Sequence, residues 1–89
     1  MSGNFVYIIE CKDGSFYTGW TTDVGRRLAE HNSGIGSKYT RSRYPVKLRF
    51  MEEFTSKEEA LKREFAIKKL SREKKIELIE NSNLEISLK

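Results

Sequence analysis

Residues 5–11, Phe-Val-Tyr-Ile-Ile-Glu-Cys, form an apolar run rich in β-branched and aromatic side chains, and Asp13-Gly14 and a second aromatic run over 15–20 come directly after it. A run of this kind suits a strand covered on both faces, so the rest of the chain must supply a layer on each side of it. Asp-Gly marks a tight turn, and the first twenty residues therefore predict a β-hairpin whose first strand is central. Strand side chains alternate, so the length of the turn decides which residues share a face. A two-residue Asp-Gly loop separates Tyr7 from Tyr17. A three-residue loop, Lys12-Asp13-Gly14 with Gly14 in the left-handed region, puts them on one face, with Tyr7 opposite Gly19 and Ile9 opposite Tyr17. The three-residue loop is preferred, because Gly19 leaves room beside the Tyr7 phenol.

The covering layers come from the remaining seventy or so residues. Thr21-Thr22-Asp23 offers a cap for a first helix over about 23–32, with Val24, Leu28 and Ala29 as its apolar stripe and His31-Asn32-Ser33-Gly34 as its close. From Ser33 to Pro45 the chain is rich in Gly, Ser and basic residues around Tyr39 and Tyr44, which predicts an exposed loop. Val46 to Phe54 alternates as a third strand. Ser56-Lys57-Glu58-Glu59 opens a second helix running to about Leu70, and Ser71 caps a third over 72–80 that carries Ile76 and Ile79. The expected architecture is α+β, a small three-stranded sheet flanked by about three helices in the order β-β-α-β-α-α. It makes one domain over 1–89, with a core over about 5–80 and a loosely held tail over 81–89.

A chain of 89 residues has room for one thin core, since a domain this small hides only about 60–65% of the surface its unfolded chain exposes. The balance of 17 Lys and Arg against 13 Asp and Glu gives a net charge of +4, which favours a polyanionic partner, although a solubility surplus would look the same. One Cys and one His cannot furnish the four ligands of a structural zinc site, and a lone Cys11 forms no internal disulfide, so a reducing cytoplasm is expected. No apolar stretch is long enough for a membrane span, and the start Met-Ser-Gly-Asn lacks the plan of a signal peptide.

The second helix holds the most informative local fact. At about 100° of turn per residue, Ala60, Leu61, Phe65 and Ile67 define an apolar arc, and Glu64 falls inside it. An ionised carboxylate in such a place needs a partner: an ion pair, for instance with Lys68 one turn on, a metal, or the edge of a cleft. On the first helix Arg27 and His31 stand at i and i+4 and project side by side, either as a solvated polar face or as a phosphate-binding and proton-shuttling pair. Tyr7 and Tyr17 read either as the aromatic packing of a hairpin or as a catalytic pair. A shared-face tyrosine pair, an Arg-His face, a carboxylate in an apolar arc and a basic loop resemble a phosphodiesterase site better than four coincidences.

These residues also carry a resemblance. Val6-Tyr7-Ile8 and Tyr17-Thr18-Gly19, then Asp23-Val-Gly-Arg-Arg-Leu-Ala-Glu-His31-Asn32, Lys38-Tyr39-Thr40-Arg41, Pro45-Val46 and Ala60-Leu-Lys-Arg-Glu64, look like the GIY-YIG nuclease superfamily. The likeness is to its small single-domain bacterial branch, which resembles the nuclease subunit of structure-selective endonucleases. It departs from the first name motif at Phe5, where the family has glycine. The resemblance implies catalytic roles for Tyr7, Tyr17, Arg27, His31 and Glu64, with Glu64 as ligand of one weakly held Mg²⁺ or Mn²⁺. It further implies metal-dependent cleavage of nucleic acid, branched, flapped or single-stranded DNA before sequence-specific duplex, and a place in DNA repair.

Lys38, Tyr39, Arg41 and Arg43 are expected to grip phosphates and stack on bases. In the expected mechanism one of the two tyrosines, Tyr7 in preference to Tyr17, serves as general base, directly or through His31, and the other orients the water or phosphate. The alternative is a non-catalytic DNA- or RNA-binding adaptor with the same fold, or a domain completed by a protein partner.

Overall fold

A computed structural model describes residues 3–82. Strand β1 (Asn4–Glu10) lies between β2 (Phe16–Thr21) and β3 (Lys47–Phe54) in an antiparallel sheet of order β2-β1-β3. Helix α1 (Val24–Asn32) comes after β2, and α2 (Lys57–Lys68) and α3 (Arg72–Glu80) come after β3. This is the expected α+β order, β-β-α-β-α-α. Of the stretch expected as a tail, Asn81 caps α3 and Ser82 donates to the carbonyl of Ile79, whereas 83–89 lie outside the described residues.

The hairpin turns through three residues. Gly14 has φ +86° and its N–H donates to the Cys11 carbonyl at 2.8 Å, while Asp13 Oδ1 accepts from the N–H of Ser15 at 3.0 Å. A positive φ at this point is what only glycine adopts freely. The turn sets the register: Tyr7 faces Gly19 and Ile9 faces Tyr17, so both phenols rise from one face. On the other side of β1, Ile8 pairs with Phe50 and Ile9 with Leu48, and the skipped Arg49 marks a bulge in β3.

Alternation along β1 makes two cores. Val6 and Ile8 point to the side of α2 and α3, where Phe50, Ala60 and Ile67 are buried and Phe16, Trp20, Phe54, Leu70, Leu78 and Ile79 pack around them. Tyr7, Ile9 and Cys11 point to the side of α1, joined by Val46, Tyr17, Leu28, Tyr39 and Leu48. Each helix starts where the sequence offers a cap: Asp23 accepts from the N–H of Arg26, Ser56 from Glu59 and Ser71 from Lys74. Gly34, at φ +81°, ends α1 by donating to the His31 carbonyl.

Three local expectations are corrected. Helix α2 meets the sheet along the narrow line Ala60, Glu64, Ile67, leaving Leu61 39% and Phe65 61% exposed. Small Ala60 lets the helix approach, and α3 with Leu70 and Phe54 fills the volume expected for a wider α2 arc. Ala29 is exposed, so the α1 stripe is Val24 and Leu28 alone. The stretch 33–45 has no helix or strand and is largely exposed, as expected, but it is not wholly open. It folds back over α1 with Gly36 and Thr40 buried, because the Ser37 and Thr40 hydroxyls find partners inside and Tyr39 packs against the core, while Tyr44 stays exposed.

Candidate active site on the tyrosine face

Tyr7 and His31 meet beneath the surface. Residue exposure is 2% for Tyr7 and zero for His31, and the Tyr7 hydroxyl lies 2.9 Å from His31 Nε2. His31 reaches it because α1 presents the imidazole one turn beyond Arg27, toward β1. The ring's other nitrogen, Nδ1, is 2.7 Å from Thr40 Oγ1, which is itself 3.0 Å from Ser37 Oγ. Ser37 Oγ also accepts from the N–H of Thr40.

Donor and acceptor roles follow from the partners. The Arg27 guanidinium stands near the Tyr7 phenol, and a cation there attracts the oxygen's lone pairs and turns the O–H away from itself. The single phenol proton then goes to His31 Nε2, which leaves Nδ1–H to donate to Thr40 and the Thr40 hydroxyl to donate to Ser37. Protonation states agree with that chain. Burial pushes the Tyr7 phenol up to about 12, Arg27 pulling it down and Tyr17 and Glu64 adding to the rise. Burial, followed by the Arg27 charge, pushes His31 below the ordinary histidine range, against a smaller pull from Glu30. The space between Tyr7 and α1, bounded by Ile9, Val24, Arg27, Leu28 and Leu48, is too tight for a water molecule.

Two glycines make the approach possible. A Cβ on Gly19 would stand 2.7 Å from Tyr7 Cζ, and one on Gly36 would stand 2.7 Å from His31 Cγ and 2.8 Å from its Cα. Neither gap admits a methyl group. Gly36 also carries the carbonyl that accepts from Arg27 Nη2 at 2.6 Å, while Nη1 donates to Glu30 Oε1 at 2.8 Å. The loop thereby fixes both α1 residues of the site.

Tyr17 is the more open phenol. Its ring stands edge-on to His31, centroids 5.3 Å apart, and stacks on Tyr39 at 5.9 Å. The Arg43 guanidinium lies 4.1 Å over the far side of that stack, tied to the Tyr39 carbonyl at 2.6 Å and to Asp13 at 3.1 Å. Tyr39 and Arg43, expected at a nucleic-acid surface, are thus engaged within the fold. Lys38 and Arg41 are exposed. Asn32 holds the end of the same loop by accepting from the N–H of Val46 at 2.6 Å.

Glu64 approaches from α2. Its side chain is 18% exposed, Lys68 Nζ stands 3.2 Å from Oε2, and its charge reaches the Tyr7 phenol. The ion pair foreseen for a carboxylate inside an apolar arc is present, and so is the proximity to the phenol. Among the described residues no cluster of three or more His, Cys, Asp or Glu side chains could hold a metal. One carboxylate fits only a hard divalent ion that draws most of its ligands from water and a phosphate oxygen.

The geometry joins Tyr7, Tyr17 and His31 directly and adds Arg27 and Glu64 electrostatically. Sequence reasoning missed Thr40, Ser37 and Gly36. Ser37-x-x-Thr40, a hydroxyl positioned to accept from the N–H three residues on, was the available signal in a stretch whose composition reads as an open loop.

Comparison with known proteins agrees with this arrangement. Residues 3–77 match the model of the GIY-YIG catalytic domain. A UPF0213 protein of Halobacterium salinarum is 64% identical over 70 residues, covering 79% of this chain and 91% of that protein. A UPF0213 protein of Clostridium perfringens is 52% identical over 81 residues, covering 91% and 87%. The solution structure of the UPF0213 protein BH0048 from Bacillus halodurans is similar with a TM-score of 0.58 and 55% identity, over 88% of this chain and 83% of that one. This chain therefore belongs to the GIY-YIG superfamily of nuclease domains, as a small single-domain member alongside the UPF0213 proteins.

Proposed function

We propose that the protein hydrolyses the phosphodiester backbone of nucleic acid with one divalent cation, Mg²⁺ or Mn²⁺. Its preferred substrates are branched, flapped or single-stranded DNA, and it works in the cytoplasm in DNA repair. The observation that carries this is the buried hydrogen bond of 2.9 Å between Tyr7 and His31, with the Arg27 charge acting on the same phenol.

A phenol raised to about 12 is a poor base by itself. Paired with a neutral imidazole that can accept its proton, it becomes the middle of a relay. Tyr7 takes the proton of the attacking water as its own passes to His31 Nε2, and Arg27 stabilises the negative charge on the phenol oxygen meanwhile. Arg27, 30% exposed at its side chain, also offsets charge developing on the phosphoryl oxygens. Tyr17 orients the water or the phosphate. Glu64 would hold the divalent ion, which supplies neutralisation of the phosphate charge when bound. A domain of this size offers little surface for a long substrate, so a protein partner that helps to hold it belongs to the same proposal.

A second reading, a DNA- or RNA-binding adaptor without cleavage, is favoured by the burial of Tyr7 and the Lys68 ammonium on Glu64. A panel of labelled DNA and RNA structures incubated with Mg²⁺ or Mn²⁺, with Glu64→Gln alongside, separates the two. Metal-dependent cutting that Glu64→Gln abolishes supports the nuclease. Salt-sensitive binding with no cutting of any substrate supports the adaptor, and equal cutting by Glu64→Gln removes Glu64 from the mechanism.

A further inference from the structure

Phe65 is the most exposed aromatic ring among the described residues, and it stands next to Glu64. The residue is 61% exposed on a helix whose inner line is otherwise well packed, and leaving a phenylalanine in water is unfavourable. Its neighbours on the helix surface, three and four positions away, are Leu61, Lys62, Lys68 and Lys69. Leu61 is 39% exposed and extends the apolar surface by one turn. Lys62, Lys68 and Lys69 are exposed, and Lys69 Nζ rests 4.3 Å from the Phe65 ring centroid. No acidic side chain occupies any of these four neighbouring positions.

An apolar ring surrounded by ammonium groups has the chemistry of a nucleotide: a flat base to stack and a phosphate on each side to pair. A protein ligand of matching charge would have to bring acidic groups around an apolar one; a single-stranded nucleic acid brings both in every unit. Position agrees, because Phe65 lies on the same helix as Glu64, whose charge reaches the Tyr7 phenol.

We propose that Phe65 is a stacking platform for an unpaired base, with Lys62 and Lys69 pairing the flanking phosphates. It would set the preference for substrates with a single-stranded arm. This rests on the nucleic-acid function proposed above and names the part of the substrate that this side of the site receives. A paired base is already stacked within its duplex, so the platform discriminates structure and not sequence.

The test uses the full chain with Ca²⁺ in place of Mg²⁺, a flap DNA carrying 2-aminopurine in its single-stranded arm, and a fully paired duplex of equal length. Stacking on one aromatic contributes about 1–3 kcal/mol per base, so Phe65→Ala should weaken flap binding roughly 5- to 150-fold. Duplex affinity should stay within twofold. Phe65→Trp should retain flap binding and deepen the fluorescence change, and Lys69→Ala should lower the salt slope for the flap by about one.

Flap binding by a folded Phe65→Ala protein at wild-type affinity overturns the proposal. So does equal weakening on both DNAs, or a wild-type dimer in sedimentation that Phe65→Ala dissolves, which would make the patch an interface between copies. Phe65-dependent flap binding without cleavage in Mg²⁺ or Mn²⁺ would keep the platform and remove the nuclease. Cleavage with Phe65-independent binding would do the reverse.

Discussion

The Tyr7 hydroxyl and His31 Nε2, both on buried residues, stand 2.9 Å apart, with the imidazole held from behind by Thr40. Twenty-four positions separate the two residues, and the contact exists because α1 crosses the sheet face that carries Tyr7. Its consequences can be measured without knowing the substrate.

The phenol of Tyr7 sits at about 12 in the folded chain and near 10 when unfolded. Between those values the unfolded state has lost a proton that the folded state keeps, so stability is fully present below pH 10 and declines as pH rises toward 12. Thermal melts across pH 9 to 12 should show this decline, and Tyr7→Phe should flatten the part due to this phenol. Absorbance titration at high pH should show a late phenol ionisation, and the same substitution should remove it.

His31 is buried neutral, with its value pushed down by burial and by Arg27. Unfolding frees it to take up a proton near its ordinary value of about 6.5, so stability falls as pH drops through that point toward the lowered one. Thr40→Val leaves Nδ1–H without an acceptor and should cost about 1–3 kcal/mol, seen as a lower thermal midpoint. Nitrogen NMR of the histidine ring should report a proton on Nδ1 in the wild type and in Thr40→Ser. A proton fixed on Nε2 would reverse the donor order described for Tyr7, His31 and Thr40.

Gly36 accepts no side chain where it lies against His31. Gly36→Ala should destabilise by about 1–3 kcal/mol, as overpacking does, and should shift the His31 ring. Gly25→Ala on the exposed side of α1, where a Cβ meets only Asp23 Oδ1 at 3.7 Å, is the control and should be neutral or stabilising. Equal thermal midpoints for the two variants would mean that the Gly36 backbone moves aside at no cost.

Lys38 and Arg41 are exposed, whereas Arg43 is tied to Tyr39 and Asp13. Replacing both Lys38 and Arg41 by Ala should lower the salt dependence of DNA binding by about two, since each phosphate contact contributes nearly one to the slope. Arg43→Ala should lower the melting temperature and leave that slope unchanged. The opposite pattern would put Arg43, and not its neighbours, on the phosphates.

Periodicity and turn chemistry determine most of the fold. The run from Phe5 to Cys11 is too apolar for anything but a covered strand, and Lys12-Asp13-Gly14 sets a register that brings Tyr7 and Tyr17 together. Asp23, Ser56 and Ser71 mark helix starts by local hydrogen bonds that need no tertiary partner. Glu64 stands out as a misplaced charge for the same reason, since a helix wheel is a local property. What the chain order could not decide was how far each element sinks into its neighbours. Leu61 and Phe65 belong in the core by hydrophobicity and are exposed because α2 seats on Ala60 and Ile67. Tyr39, Thr40 and Arg43 look like an open basic loop in sequence; folding turns Thr40 toward His31 and lays Tyr39 between Tyr17 and Arg43. Burial is a property of the assembled layers, and the pairing of a phenol with an imidazole 24 residues away exists only once those layers close.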